Sequence, residues 1–346
     1  MLKTWQIREH QFALRLTAHV RGQAHLSGHI ILPTGRAWAS QFPVMAHQLT
    51  SPSFDSRLVR EWLNHCDDVH GHNCGPPRRG VNGFSLRLRV IDLESWCIVS
   101  ASPTCDYVAL SYVWGSTEQQ RLNEENFRAW TLPGAPASVS FPRTIRHAMN
   151  VCRELRLRYI WIDSLCIVQS SESDRIHQIN NMHHIYSQAY LTIVVASGTD
   201  CDDGIPSIGP RKIPQKIVEI GGRKIATARW ITKSDLLNST WNSRAWTLQE
   251  YALSHRHLIF LPYQVAFAFK EGVRREHFEG YLESAPWFRE DPQSDILPVL
   301  RSEHLALQYS DYVFDKFFIP LSIRSGPGER LFPTTSSELL RASSAF

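Results

Sequence analysis

A glutamate one helical turn after a tryptophan is the pair in this chain best placed to do chemistry. The stretch Trp241-Asn-Ser-Arg-Ala-Trp-Thr-Leu-Gln-Glu250 continues as Tyr-Ala-Leu-Ser254. As a helix it puts Trp246, Glu250 and Leu253 on one face. A carboxylate between an indole and an aliphatic side chain is partly desolvated, which raises its pKa toward the range of a working acid or base. The competing reading is an ion pair of Glu250 with Arg244 or Arg256. A second acidic position, Asp163-Ser164, directly follows the apolar run Tyr159-Ile-Trp-Ile162. Such a run suits a strand buried on both faces, and in open α/β sheets ligands gather just outside the carboxyl ends of the strands. Asp163 serves equally well as a turn or cap residue. A third group, Tyr112, Trp114, Gly115 and Ser116, ends another β-rich run. There the aromatics offer stacking faces, and Gly115 permits close approach to the backbone N–H groups. Core packing of both aromatics is the alternative.

Cys66, His70 and Cys74 are the types that bind zinc, but a closed site needs four ligands, and here all four would have to come from nine residues. No metal is assigned on this evidence; the other reading is a helix end with a cysteine packed inward.

The elements around these residues alternate. A helix is expected over Ser56 to Asp68, and two strands flank a turn at Asp92-Leu-Glu-Ser95. β-rich runs follow at Tyr107–Gly115, Tyr159–Ile162, Tyr190–Ser197 and His257–Leu261. Helical spacing appears at Glu124–Trp130, after Pro142 and again from Ile176 to Tyr186. Alternation of this kind implies parallel strands with right-handed helical crossovers. Lys216–Ile220 and Lys224–Ala228 flank Gly221-Gly222 and read as a β-hairpin inserted in that core. Val265–Phe269 reads as an edge strand. The fold class is therefore α/β, with a central, mostly parallel sheet, flanking helices and one hairpin insertion. The expected organisation is a loosely structured leader at 1–55, a helix and hairpin flank at 56–104, the main domain at 105–262, and a partly disordered extension at 263–346.

A net charge of +4 is too small for a nucleic-acid-binding face. Seven scattered cysteines suggest a reducing compartment, no apolar run is long enough to span a bilayer, and the first ten residues lack the apolar centre of a secretory signal. A cytoplasmic protein is the expectation.

Three blocks together resemble a known family. They are Leu110-Ser-Tyr-Val-Trp-Gly115; Tyr159-Ile-Trp-Ile-Asp-Ser-Leu-Cys-Ile-Val-Gln169 with the helix after Pro142; and Arg244-Ala-Trp-Thr-Leu-Gln-Glu250 with Leu253, Ser254 and Arg256. Their order and spacing resemble the fungal heterokaryon incompatibility (HET) domain over roughly residues 105–260, and more distantly the TIR domain, a flavodoxin-like fold. The resemblance implies non-self recognition that ends in programmed cell death. It also implies partners among other incompatibility or NLR-type proteins, and self-association. Some TIR domains hydrolyse NAD, so the likeness implies NAD as a substrate, with no cofactor required. Cleaving the nicotinamide–ribose bond builds positive charge on the sugar, which one carboxylate can stabilise. In that scheme Glu250 is the catalytic group. Tyr112, Trp114, Gly115, Ser116, Asp163, Ser164 and Trp246 line the dinucleotide site. A non-catalytic adaptor that works by self-association is the alternative.

Overall fold

The computed structural model describes residues 45–49, 53–76, 88–102, 104–208, 214–220, 223–229, 235–236, 238–244, 246–270 and 272–279, with the strands at 4–10, 13–20, 23–25 and 29–33. Of the extension expected at 263–346, residues 263–270 and 272–279 are described and carry strands, and the part beyond 279 lies outside the described residues.

The apolar runs become strands. In chain order they are β1 (Thr4–His10), β2 (Ala13–Val20), β3 (Gln23–His25), β4 (His29–Pro33), β5 (Met45–Ala46), β6 (Arg89–Asp92), β7 (Cys97–Ser100) and β8 (Tyr107–Ser111). There follow β9 (Tyr159–Trp161), β10 (Leu191–Val195), β11 (Ile217–Ile220), β12 (Arg223–Arg229), β13 (Arg256–Phe260), β14 (Val265–Phe269), β15 (Gly272–Arg275) and β16 (Phe278–Glu279). The helices are α1 (Ser56–His65), α2 (Glu124–Trp130), α3 (Arg143–Glu154), α4 (Asp163–Cys166), α5 (Glu172–Asn180), α6 (Met182–Ser187) and α7 (Thr247–Leu253).

The main sheet has eight strands in the order β15-β14-β13-β10-β8-β9-β6-β7. Its middle four, β13, β10, β8 and β9, run parallel, with Tyr107 beside Tyr159 and Val108 beside both Ile160 and Leu191. Helices connect β8 to β9 and β9 to β10 as the alternation predicts. Every residue of β8, β10 and β13 is buried, as strands covered on both faces require.

The expectation of a mostly parallel sheet is corrected. The β6–β7, β6–β9, β13–β14 and β14–β15 pairings are all antiparallel. The reason lies in the connections. β13 turns into β14 over Pro262-Tyr263, closed by Leu261 N–H to the Gln264 carbonyl at 3.1 Å, and a link so short permits only an antiparallel neighbour. The next link is equally short, so β15 takes the sheet edge and β14, read as an edge strand, is paired on both sides and wholly buried.

Residues 4–33, expected as a loosely structured leader, instead carry four strands. β1, β2 and β4 continue through β12 to β11 in a second, antiparallel sheet, with β3 on β2. The weak alternation at Ala13–Val20 is its sequence trace. The inserted hairpin is present as β11 and β12, and it supplies the pairing edge that makes the early strands a sheet.

The β6–β7 hairpin is held by Asp92, which is 3% exposed. Its carboxylate accepts Arg158 Nε–H at 2.9 Å, Arg158 Nη2–H at 2.6 Å, the backbone N–H of Glu94 at 3.0 Å and the Ser95 hydroxyl at 2.9 Å. Arg158 first, then those turn donors, hold its pKa well below the usual carboxylate range. A group depressed in this way stabilises the fold above its unfolded pKa, near 4, and the contribution is lost as pH falls below that. Arg158 is 42% exposed, so solvent weakens the pair. Asp92→Asn should cost about 1–3 kcal/mol in urea unfolding at pH 7, with the difference from wild type narrowing below pH 4.

Candidate functional site

The parallel strands reverse their order of addition between β8 and β10: β9 joins one side of β8, while β10 and then β13 join the other. The crevice outside the carboxyl ends at such a switch point is where α/β folds bind ligands. Ser111 ends β8, and Tyr112 to Ser116 continue from it. Asp163 follows β9. Gly198 to Asp203 follow β10. The segment Trp241–Glu250 crosses the same end.

Two hydrogen-bonded clusters occupy this end. In the first, the Ser111 hydroxyl donates to Glu250 Oε2 and accepts the Trp241 indole N–H at 2.7 Å. Glu250 is 2% exposed, and burial raises its pKa to about 7 against the opposing pull of Arg244 and of the Ser111 hydroxyl. In the second, the Trp114 indole N–H donates to Asp163 Oδ2 at 2.9 Å, and the Ser164 N–H donates to Asp163 Oδ1 at 2.7 Å. The Tyr112 hydroxyl donates to Gln119 Oε1 at 2.9 Å and lies 3.0 Å from Ser164 Oγ. Burial raises the Asp163 pKa as well, with Arg244 the main opposing influence. Arg244 joins the clusters. Its guanidinium donates to the Tyr112 carbonyl and acts electrostatically on both carboxyls. Arg256, the other partner considered for Glu250, pairs instead with Asp67 at 2.6 Å.

The expected residues are thus brought to one end of the sheet, with three changes of role. Trp246 supplies the carbonyl that accepts the Glu250 N–H at 3.0 Å, as a helix turn requires. The indole bonded into the glutamate cluster belongs to Trp241, because the chain enters α7 through a 3₁₀ turn at Trp241–Ser243 rather than through one continuous helix. Tyr112 is buried and hydrogen-bonded, so its ring is packed and not offered for stacking. Trp114 is half-buried, and Arg121 lies over its ring with the guanidinium 5.0 Å from the ring centre. At Gly115 the close approach is made by the protein itself. Its φ is +67°, and a Cβ there would stand 2.2 Å from Asp200 Oδ2. That oxygen accepts the backbone N–H groups of Ser116 and Thr117, both at 2.9 Å. Of the Gly115 and Ser116 N–H groups expected to meet a phosphate, that of Ser116 therefore already holds a carboxylate. The donors around it, Asp202 N–H first, keep the Asp200 pKa well below the usual range.

Sequence reasoning missed Ser111, Trp241, Arg244 as a bridge, and Asp200. Ser111 was legible as the last residue of a buried strand, and Asp200 as an acid just past another. Nothing in the sequence told Trp241 from Trp246. Beyond the ends of β10 and β13 lies a cavity of about 480 Å³ bordered by Ser197, Thr199, Asp235, Asn238, Thr240 and Tyr263. Its rim at 238–240 leads directly into Trp241.

Ser111→Ala removes the donor that favours ionised Glu250 and strands both the carboxyl and the Trp241 N–H. The Glu250 pKa should then move further above about 7, and stability should fall by about 1–3 kcal/mol. Carboxyl-selective NMR titration and urea unfolding would read the two effects.

Residues 107–250 match the family described as "Heterokaryon incompatibility protein (HET)". A curated relative from Neurospora crassa, "Heterokaryon incompatibility protein 6, OR allele", is 28% identical over 237 residues, covering 52% of this chain and 34% of that protein. The alignment therefore spans about a third of the relative's length. No solved structure matches.

Proposed function

We propose, from the premise that residues 107–250 form a HET domain, that this chain acts in fungal incompatibility as the module that arrests the cell, and that it does so by hydrolysing NAD. The observation that carries the reading is Glu250. It is a buried carboxyl with its pKa raised to about 7, set at the carboxyl end of the first parallel strand beside the switch point. The order of the four parallel strands supports kinship with doubly wound, TIR-like folds, although the antiparallel flanks depart from that pattern.

In the proposed reaction the ionised Glu250 faces the ribose as the bond to nicotinamide breaks, stabilises the oxocarbenium-like charge, and orients water for attack. Arg244 biases Glu250 toward the ionised form. Ser111 fixes the carboxyl's orientation. Trp114 presents the half-exposed aromatic surface for a base, and the diphosphate competes with Asp200 for the Ser116 and Thr117 N–H groups.

Glu250 at 2% exposure is closed to a dinucleotide. Activity therefore requires the segment carrying Trp241 to move away from Ser111, as suits a domain that stays silent until a partner engages it. Other incompatibility or NLR-type proteins, or a second copy of the chain, are the proposed triggers, and the cytoplasm is the proposed location. No helix among the described residues is long and apolar enough to cross a membrane.

The same burial favours a second reading, a self-associating adaptor in which Glu250 only holds the fold together. Expression of wild type and Glu250→Gln in a fungal host decides between them. Growth arrest with NAD loss in wild type, both absent in a folded variant, supports catalysis. Arrest undiminished in the variant supports the adaptor and removes the catalytic reading.

A further inference from the structure

The end of the sheet opposite Glu250 carries a cluster with no part in the proposed reaction. Helix α1 does not stop cleanly at His65. It widens into a π turn over Cys66–His70, followed by a 3₁₀ turn over Gly71–Asn73. A π turn inside a helix usually marks a functional position, because it spoils regular hydrogen bonding for a local gain. Here the gain is convergence. Cys66 and His70 come to one side, and Gly71, at φ +43°, reverses the chain so that Cys74 folds back onto them. The return is closed by the N–H groups of Cys74 and Gly75 on the Gly71 carbonyl, at 3.4 and 2.9 Å. The ligand atoms of Cys66, His70 and Cys74 all lie within 4.8 Å of one another, and both cysteines are buried.

We propose that Cys66, His70 and Cys74 bind a zinc ion that locks the turn following α1, beside the amino-terminal ends of the parallel strands. Thiolate and imidazole are the ligands zinc prefers, and tetrahedral coordination holds such atoms roughly 3.5–3.8 Å apart. Closing onto the metal needs side-chain shifts of about an ångström from the spacing present. The objection raised by ligand count, that nine residues cannot supply four ligands, does not apply when water or the neighbouring His65 takes the fourth position; the His65 ring centre lies 5.9 Å from that of His70.

The surroundings fit. The His70 ring stacks on Phe269 at 5.2 Å, which fixes its plane. Arg256, 1% exposed, donates through Nε to the Cys74 carbonyl at 3.0 Å and pairs with Asp67 at 2.6 Å. Asp67 also accepts the Tyr190 hydroxyl at 2.8 Å, and the Arg256 guanidinium lies 5.0 Å from the Tyr190 ring centre. A divalent ion with two thiolates is neutral, and so is the Arg256–Asp67 pair, so the metal-loaded site leaves no net charge in this buried corner. Arg256 opens β13, Tyr190 leads into β10, and Phe269 ends β14. The metal would close the turn after α1, which these three contacts already hold against the strands, and it stands apart from the Glu250 crevice.

The test uses the full chain, purified under reducing conditions. Elemental analysis should find about one zinc per chain. Cobalt(II) loaded after chelation should give the intense visible bands of a tetrahedral ion and the near-ultraviolet bands of thiolate coordination. Chelation should lower the melting temperature by roughly 5–15 °C, restored by zinc. Because Cys66→Ala can fail to fold, His70→Ala is the companion variant: its retained zinc should fall at least tenfold, or its cobalt spectrum should lose its tetrahedral form. Wild type without zinc and without a thiolate–cobalt spectrum overturns the proposal, as does a Cys66–Cys74 disulfide in the reducing preparation. None of these readouts depends on NAD turnover.

Discussion

Glu250→Gln should yield a protein that is inactive yet more stable than wild type at neutral pH. The side chain is buried, its pKa is raised to about 7, and its hydrogen-bond donor is a neutral hydroxyl. In the unfolded chain the same group titrates near 4.5. The folded state therefore holds the proton more tightly than the unfolded state. A raised pKa of this kind contributes stability fully below about 4.5, and the contribution is lost as pH rises to about 7 and beyond. The interval corresponds to about 3 kcal/mol. Glutamine is close in shape to the protonated acid and does not ionise, so the variant lacks this loss. Wild type and variant should differ by about 3 kcal/mol at pH 7.5 in the variant's favour, and the gap should close by pH 4.5. Urea unfolding across that range measures it. A gap that does not change with pH would mean Glu250 is ionised throughout and locked to Arg244. The same variant should lose at least about 100-fold in NAD turnover, the scale for removing one preorganised charge from a transition state. Burial alone predicts the gain in stability, so the loss of turnover is the readout that separates a catalytic carboxyl from one that is only buried.

Gly115→Ala should be the most damaging small substitution in the domain. Two effects add. The φ of +67° costs any L residue about 1–2 kcal/mol. The new methyl would also sit 2.2 Å from Asp200 Oδ2 and 2.7 Å from Asp200 Cα. The carboxylate oxygen can swing away, but the α-carbon cannot without moving the loop after β10. That loop is itself fixed by Asp203, whose carboxylate accepts the N–H groups of Thr199 at 2.7 Å and Asp200 at 3.1 Å. The expected cost exceeds about 3 kcal/mol, a fall of roughly 6–12 °C in melting temperature for a domain of this size. Asp200→Ala in the Gly115→Ala background should fail to restore it, because the α-carbon contact remains. Full rescue would show that only the carboxylate, and not the loop backbone, packs against Gly115.

The sequence by itself determined the central strands and the helices that alternate with them. Tyr107–Ser111, Tyr159–Trp161, Leu191–Val195 and Arg256–Phe260 are apolar runs too short for helices, separated by helical spacing, and such runs have one way to bury themselves. It also placed Asp163 and Trp114 just past strands, since strand ends are read from where apolar residues stop, and it placed Glu250 on a helix one turn after Trp246. Tertiary structure decided the rest. Whether a buried strand is parallel or antiparallel depends on the length and path of its connection, not on its side chains, so Val265–Phe269 gave no sign of its direction or of its partner β15. Which indole meets Ser111 depended on where α7 begins, a matter of one 3₁₀ turn. The N–H group of Ser116 looked open to a phosphate because its occupant, Asp200, lies 84 residues away in sequence. Cys66, His70 and Cys74 looked too few for a metal because spacing alone counts residues, whereas a widened helix turn and a glycine at positive φ bring their ligand atoms within 4.8 Å. Contacts within an element follow from local pattern; contacts between elements, such as Ser111 with Glu250 and Trp114 with Asp163, are set by how the layers pack.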